Sequence, residues 1–407
     1  MEQKKILYIS YDGMTDALGE GQVISYLVEL SKKGYQFDIL SFEKPDKFRK
    51  LEGHIRGILQ QSNIGWNPQI FHSFPPVISK AYDKLSLLIA AKKMYRQHKY
   101  DLIHCRSYMS AEVGLELKKK YGVKFLFDMR GFWADEKADG GAWDRSKWFW
   151  NKIYLFYKKK EKEFLQNADH IISLTATGKK EMMTWSFFDP KIPITVIPCC
   201  VNLEHFALTD QDKRTKARKL LGIENNIFVL SYLGSLGSWY MIDEMLLLFK
   251  SILVKKPDAL FLIITTSNFE YVNSRLTEMK IPSEKVILRS VPFSDVPGLM
   301  YASNCSVSFI KPLYSKISSS PIKIGEILSM GIPLIANSIG DTTQLMSEEN
   351  AGVLIQNFSQ KEYEDAALSI SALILIPPSS LRSLAEKYFD LKKGVEQYSF
   401  VYHQIFK

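Results

Sequence analysis

The chain has 407 residues, 46% hydrophobic and 13% aromatic, enough for two cores, which excludes a disordered or disulfide-stapled mini-protein. No apolar run approaches the roughly 20 residues of a membrane span, and the N-terminal MEQKKILYISYDG lacks the apolar stretch and cleavage site of a signal peptide. Residues 1–200 carry 32 Lys+Arg against 23 Asp+Glu, whereas residues 201–407 carry 21 of each, so the net charge of +9 belongs to the first half. Such a one-sided field suits an anionic partner, whether membrane surface, phosphate-bearing substrate or nucleic acid, with solubility as the plain alternative.

In chain order, residues 4–10 (KKILYIS) read as a strand, followed by a glycine-bearing loop and a helix over 23–34 that stops at Gly34. Further strands are expected at 37–42, 101–106, 124–130 and 170–175, with helices at 78–99, 110–120, 146–167 and 176–186. Residues 190–205 are Pro-rich and read as a linker. The second half repeats the alternation, with strands at 227–235, 259–266, 286–291, 305–310 and 353–357 and helices at 240–255, 271–279 and 294–302. This pattern predicts an α/β protein of two doubly wound domains, 1–190 and 191–385, with a terminal helix over 386–407 folding back on the first. Cys105, Cys199, Cys200 and Cys305 have no metal-type spacing, and a reducing cytoplasm is the expected setting.

In open α/β sheets ligands bind beyond the carboxyl ends of strands, so the loops there are searched first. The loop Gly13–Gly21 opens a helix at Gln22, and Gly19 and Gly21 let backbone approach a ligand. It has no GxGxxG, so dinucleotide binding is unsupported, and an ordinary strand-to-helix turn is the alternative. His104 and Arg106 end one strand, a place from which His104 can serve a substrate hydroxyl or act structurally. The next strand runs into DMRGFWADEKADGGAW, where Asp128, Arg130, Asp135 and Glu136 crowd beside Trp133, as a polar ring-shaped ligand or a salt-bridged loop would require.

In the second half, Gly234 and Ser235 follow a strand and precede a helix. Residues 318–337 read SSSPIKIGEILSMGIPLIAN: Ser318, Ser319 and Ser320 are placed to cap a helix beginning near Ile322, with Pro321 in its first turn. Lys323 adds a cation to that helix end, Glu326 lies on the same face, and Lys311 and Lys316 lie just upstream. A diphosphate at the helix start with Glu326 on ribose hydroxyls accounts for both charges; a capped helix with a surface Lys–Glu pair is the alternative.

SSPIKIGEILSMGIPLIAN resembles the donor-binding motif of glycosyltransferase family 4, as do LGEGQVISYLVELSKKGY, YLGSLG and IPCCVNLEHF; DMRGFWADE resembles a loop of its bacterial surface-polysaccharide members. The resemblance spans nearly the whole chain. It implies a GT-B fold of two facing Rossmann-like domains, acceptor on the first and nucleotide-sugar on the second. It further implies transfer of a hexosyl unit with retention of configuration and without a metal. By position Glu326 matches the second glutamate of the family's Glu-x7-Glu motif, while the first falls on Ser318. The usual Arg and Lys of the second domain's first loop are also replaced, by Ser235 and the Trp239–Tyr240 region. Lys323, Lys316 and Lys311 are then the candidates to neutralise the diphosphate.

The expected catalytic set is His104, Asp128, Arg130, Lys323 and Glu326. Gly19, Gly21, Gln22, Gly234, Ser235, Lys311, Lys316, Ser318, Ser319 and Ser320 are expected at the donor, and Arg106, Trp133, Asp135 and Glu136 at the acceptor. No metal site, no cofactor beyond the nucleotide-sugar co-substrate and no nucleic acid is expected. The expected acceptor is a glycan or a lipid-linked acceptor in surface polysaccharide or glycoconjugate synthesis. The aromatic, Lys-rich segment 146–167 is read as lying on an anionic inner membrane face, or else as a core helix with a solvated end. A nucleotide-sugar epimerase and a noncatalytic nucleotide-sugar or glycan binder are the alternative functions.

Overall fold

The computed structural model describes residues 3–237 and 239–407. The chain divides into two compact units: one runs to Pro198 and resumes over Leu391–Lys407, and the other spans Cys199–Asp390. In the first, seven parallel strands lie in the order β3-β2-β1-β4-β5-β6-β7. They are β1 Lys5–Ser10, β2 Gln36–Glu43, β3 Gly65–Ile70, β4 Leu102–Arg106, β5 Lys124–Asp128, β6 His170–Ser173 and β7 Ile194–Val196. Strands β1 and β4 are buried almost end to end, which is why they read as unbroken apolar runs: a parallel sheet hides both faces. The strand order reverses between β1 and β4, so the crevice of this sheet opens at their carboxyl ends.

The second unit repeats the plan with β8 Val229–Leu233, β9 Leu260–Ile264, β10 Val286–Arg289, β11 Cys305–Ser308, β12 Leu334–Asn337 and β13 Gly352–Ile355. The order is β10-β9-β8-β11-β12-β13, all parallel, with the reversal between β8 and β11. Alternate strand residues feed two apolar layers. Val229, Leu262 and Leu334 join Ile327 and Leu328 on one face; Leu230, Phe261 and Ile335 join Phe249 and Ile370 on the other.

The limits of the units differ from those read in the sequence. The first unit ends at Pro198 rather than 190, because β7, inside the Pro-rich stretch that reads as a linker, pairs with β6 through Ile171 and Ile194. The second ends at Asp390 rather than 385. Its last helix, Pro378–Tyr388, buries Leu381, Leu384 and Ala385 in the second core, and Arg382 donates to the carbonyls of Leu203, Phe206 and Ser329. The terminal helix Leu391–Phe406 belongs to the first unit and buries Val395, Tyr398, Val401 and Tyr402 there. Segment 128–143, read as a loop, contains the short helix Trp133–Asp139.

The loop after β1 is held by a carboxylate that the sequence reading passed over. Glu43, fully buried at the end of β2, accepts from the backbone N–H groups of Met14 and Thr15 at 2.8 and 3.0 Å and from the hydroxyls of Thr15 and Ser41. The chain then winds into a π-helical turn over Glu20–Ile24, an irregularity frequent at functional sites. Gly19 is required by this packing: a Cβ there would meet the Gly13 carbonyl oxygen at 2.1 Å and Met14 Cα at 2.5 Å, whereas at Gly21 it would meet nothing within 4 Å. Gly19→Ala is therefore expected to destabilise the chain by about 1–3 kcal/mol, with Gly21→Ala within about 0.5 kcal/mol of the parent. Paired denaturant unfolding curves check this; equal midpoints for the two variants would show that the loop is not packed this way.

Candidate functional site

The reversal in the second sheet places the end of β8 beside the end of β11, and the segment after β11 brings in the helix Ile322–Ser329. Gly234 follows β8 at φ +130°, a conformation side chains rarely adopt, and a Cβ there would lie 2.5 Å from Lys323 Nζ. The space left is filled by the Lys323 ammonium. It donates to the Tyr232 hydroxyl at 3.2 Å and lies 3.5 Å from the centroid of the Tyr240 ring and 4.5 Å from that of Tyr232. Tyr232 in turn donates its hydroxyl hydrogen bond to the Ser235 carbonyl at 2.7 Å. Lys316, also buried, sits 3.6 Å from the centroid of Trp239. Aromatic faces attract these cations but replace little of the hydration that burial removes.

Glu326 is 4% exposed and Lys323 5%. Among the described residues Glu326 is the sole buried carboxylate of the second unit, and no hydrogen bond or ion pair reaches its oxygens. Burial drives Lys323 down to about 7 against the pull of Glu326, and drives Glu326 up to about 7 against the pull of Lys323. Two ionisable groups buried one helical turn apart, neither fully satisfied, make this the candidate ligand site of the second unit.

The other donor candidates separate. Ser318, Ser319 and Ser320 do not cap the helix, whose N-cap is Pro321 with no side-chain cap. The segment Tyr314–Ser318 winds into a 3-10 turn in which Ser318 donates to the Ser315 carbonyl at 2.8 Å. Ser319 continues it by backbone bonding to Lys316, and the Ser320 hydroxyl accepts from the Cys199 N–H at 3.2 Å. Lys311 is exposed and is tied by its backbone to the Trp239 carbonyl, so the buried lysines of this unit are Lys316 and Lys323 without it. In the first unit Gln22 is buried in the π-helical turn, its amide on the Gly21 carbonyl at 3.2 Å.

At the crevice of the first sheet, Arg106 at the end of β4 reaches Asp12 after β1 at 3.3 Å. Ser107 and Arg130, which follow β4 and β5, hold left-handed backbone at φ +66° and +56°, strain of the kind that collects at functional sites. His104 and Asp128, expected to meet the acceptor, lie in the interior, 2% and 1% exposed. His104 Nδ1 is 2.8 Å from the Tyr402 hydroxyl, Tyr398 donates to Asp128 at 2.9 Å, and His104 Nε2 lies 3.5 Å from the same carboxylate oxygen. Burial lowers His104 despite Asp128. Burial also presses Asp128 upward, but Arg130 and His104 outweigh it and hold the carboxyl below its ordinary value. The pair anchors the terminal helix, and Arg130, 3.8 Å from Asp128, is its outermost member.

Two acceptor candidates are likewise absorbed by packing. Asp135 is buried and takes donors from Tyr154 at 2.8 Å and Lys158 at 2.9 Å. Trp133 packs among Tyr108, Trp143 and Tyr157, and Glu136 is half-buried on the same short helix. A neighbouring cluster had no sequence signal, because its members lie far apart in the chain. Fully buried Asp83 accepts from Tyr11 at 2.7 Å and lies 2.6 Å from His72 Nδ1. Lys80 donates to Tyr11 at 3.0 Å and lies 3.8 Å from the centroid of Phe71. These residues ring the carboxyl ends of β1 and β3.

A sequence model of Glycosyltransferase Family 4 matches residues 20–205. The chain is 25% identical over 308 residues to UDP-Gal:alpha-D-GlcNAc-diphosphoundecaprenol alpha-1,3-galactosyltransferase of Escherichia coli, covering 74% of this chain and 72% of that enzyme. Its fold is similar to sucrose-phosphate synthase from Thermosynechococcus elongatus, with TM-score 0.74, 17% identity and 99% of each chain covered. It is also similar to Anabaena HepE in complex with UDP-glucose, with TM-score 0.67, 15% identity and 98% and 99% of the two chains covered. The family match over residues 20–205 and the glycosyltransferase relative support a glycosyltransferase of the family 4 type, and the two-sheet architecture shared with the solved structures is the GT-B fold.

Proposed function

We propose that the chain moves a hexosyl unit from a uridine diphosphate sugar to a lipid-linked glycan, with retention, in the making of a surface polysaccharide or related glycoconjugate. The observation that carries this reading is the buried Lys323–Glu326 pair at the crevice of the second sheet. Breaking the sugar–phosphate bond builds charge on the leaving diphosphate, and preorganised donors at that charge are the main lever available to a protein. Lys323, Lys316 and the start of the Ile322–Ser329 helix supply them, so the reading asks for no metal ion or other cofactor. Glu326 accepts from the ribose hydroxyls, which provide the partners its carboxylate lacks. The uridine base and the lipid-linked acceptor rest on the galactosyltransferase relative and on the complex of HepE with UDP-glucose.

In the first unit the reading assigns acceptor contacts to the strand-end arginines Arg106 and Arg130 and to the Tyr11, His72 and Lys80 cluster. His104 and Asp128 support them from inside. The basic charge of this unit serves a polyanionic membrane surface where the lipid-linked acceptor resides, at the inner membrane face. Among the described residues no single helix is long and apolar enough to cross a membrane.

Glu326→Ala and Lys323→Ala are each expected to weaken binding of a uridine diphosphate sugar about 10–100-fold, read by calorimetry on folded variants. Parent-like affinity in both would overturn the assignment of this site. Formation of an altered free nucleotide-sugar without acceptor would identify an epimerase instead. The pair also sets a pH dependence. Glu326, raised from 4.5 to about 7, adds stability that is complete below pH 4.5 and lost as pH rises to about 7. Lys323, lowered from 10.5 to about 7, adds stability that is complete above pH 10.5 and lost as pH falls to about 7. The Tm of Glu326→Gln minus that of the parent should therefore grow as the pH of ligand-free protein is raised from 4.5 to 7. A flat difference would show that Glu326 is not held protonated by the fold.

A further inference from the structure

The helix Pro76–His98 is apolar on two sides. Its inner side buries Asp83, Leu87, Ala91 and Met94, as a helix covering a sheet must. Its outer side carries Ile78, Tyr82, Leu85 and Ile89, at spacings of four, three and four residues, exposed by 68, 59, 56 and 60%. Phe74, just before the helix, is 83% exposed. The helix Trp148–Asn167 adds Trp148, Phe149, Leu155 and Phe156, all exposed. Both helices pack on the helix Ser107–Tyr121, and Lys84 of the first lies 5.7 Å from the Phe156 ring centroid of the second, so the two apolar stripes share one face of the first unit.

The same two helices hold the charge. Together they carry ten Lys and Arg against three Asp and Glu, an excess of seven out of the nine found in residues 1–200. Lys84 and Lys158 are engaged with buried carboxylates, but Lys93, Lys152, Lys159 and Lys162 are exposed beside the apolar stripes, with Lys152 4.0 Å from the centroid of Trp148. Protein partners are met by surfaces depleted in lysine. Aromatic and aliphatic residues bordered by lysines on helices are the profile of insertion into the headgroup layer of an anionic bilayer. Tyr82, Leu85, Ile89 and Lys93 of this helix also wall a cavity of about 470 Å3 whose other side brings Asn67 and Gln69 of β3, a recess that joins apolar and polar groups.

We infer that the face built by the Pro76–His98 and Trp148–Asn167 helices docks this protein on an anionic lipid surface. The first helix ties that face to the crevice: Lys80 and Asp83 hold Tyr11 and His72 at the strand ends, while Ile78, Leu85 and Ile89 point outward. Docking there sets the candidate acceptor side beside the bilayer. The inference extends the proposed membrane setting by naming the surface, and it is tested without donor or acceptor, so its failure leaves the transferase reading standing.

The test is co-sedimentation of the full chain with vesicles of phosphatidylcholine, alone or mixed with phosphatidylglycerol. Binding to the mixed vesicles is expected. The triple variant Ile78→Ser, Leu85→Ser and Ile89→Ser should lower the partition coefficient at least about tenfold while keeping the parent's circular dichroism and Tm. Lys152→Glu with Lys159→Glu should weaken binding chiefly to the anionic vesicles. Absence of binding to either vesicle, or binding unchanged in the triple variant, would overturn the inference. So would a parent that is dimeric by light scattering and becomes monomeric in the triple variant, which would make this face the seat of a second copy.

Discussion

A missing side chain at Gly234 gives the second unit its chemistry. Any Cβ there would run into Lys323 Nζ, so the lysine can lie under the end of β8 only because this residue has none. Once there it is cut off from water and leans on two tyrosine rings and one hydroxyl. Hydration of an ammonium is not replaced by such contacts, and the burial is tolerated because the group can shed its proton. Glu326 meets the same problem from the other side and solves it by holding one.

The first unit treats buried charge in the opposite way. Glu43 takes two backbone and two hydroxyl donors. Asp83, Glu112, Asp128, Asp135 and Glu161 each have a tyrosine, histidine or lysine on them. These carboxylates, each with at least one donor on it, fix geometry: they hold the loop after β1, the terminal helix and the short helix Trp133–Asp139. Glu326 differs in having no donor on its carboxylate, which is why the proposed reading places a ligand there.

The two sheets were legible because their strands are apolar runs punctuated by amphipathic helices, and the Lys323–Glu326 pair was legible because three-residue spacing on a helix is a local property. What failed was whatever depended on partners distant in the chain. The strand β7 hides in a Pro-rich stretch, and β3, with Pro68 inside it, lacks an apolar run because it is the sheet's edge, where proline is tolerated. The serines before Ile322 look like caps, but a 3-10 turn draws Ser318 back on Ser315 and the Cys199 N–H takes Ser320. Crowding in DMRGFWADE suggested a ligand, yet Asp135 is spent on Tyr154 and Lys158, about two and three helical turns into a different helix. No local pattern unites Tyr11, His72, Lys80 and Asp83.

The choice of lysine at 323 then has a physical meaning. An arginine could not lose its charge and would burden the empty site with a cation the core cannot hydrate. A lysine next to a glutamate, both drawn toward 7, lets the empty site be neutral by leaving the lysine bare and the glutamate protonated. On the proposed reading a diphosphate arriving at the helix start reverses that balance: its charge favours the ammonium, while ribose hydroxyls favour the carboxylate. The proton that Glu326 gives up is the one Lys323 needs. On the proposed reading occupation thus shifts the pair toward the charged form, so its electrostatic stabilisation strengthens in the presence of the group it serves.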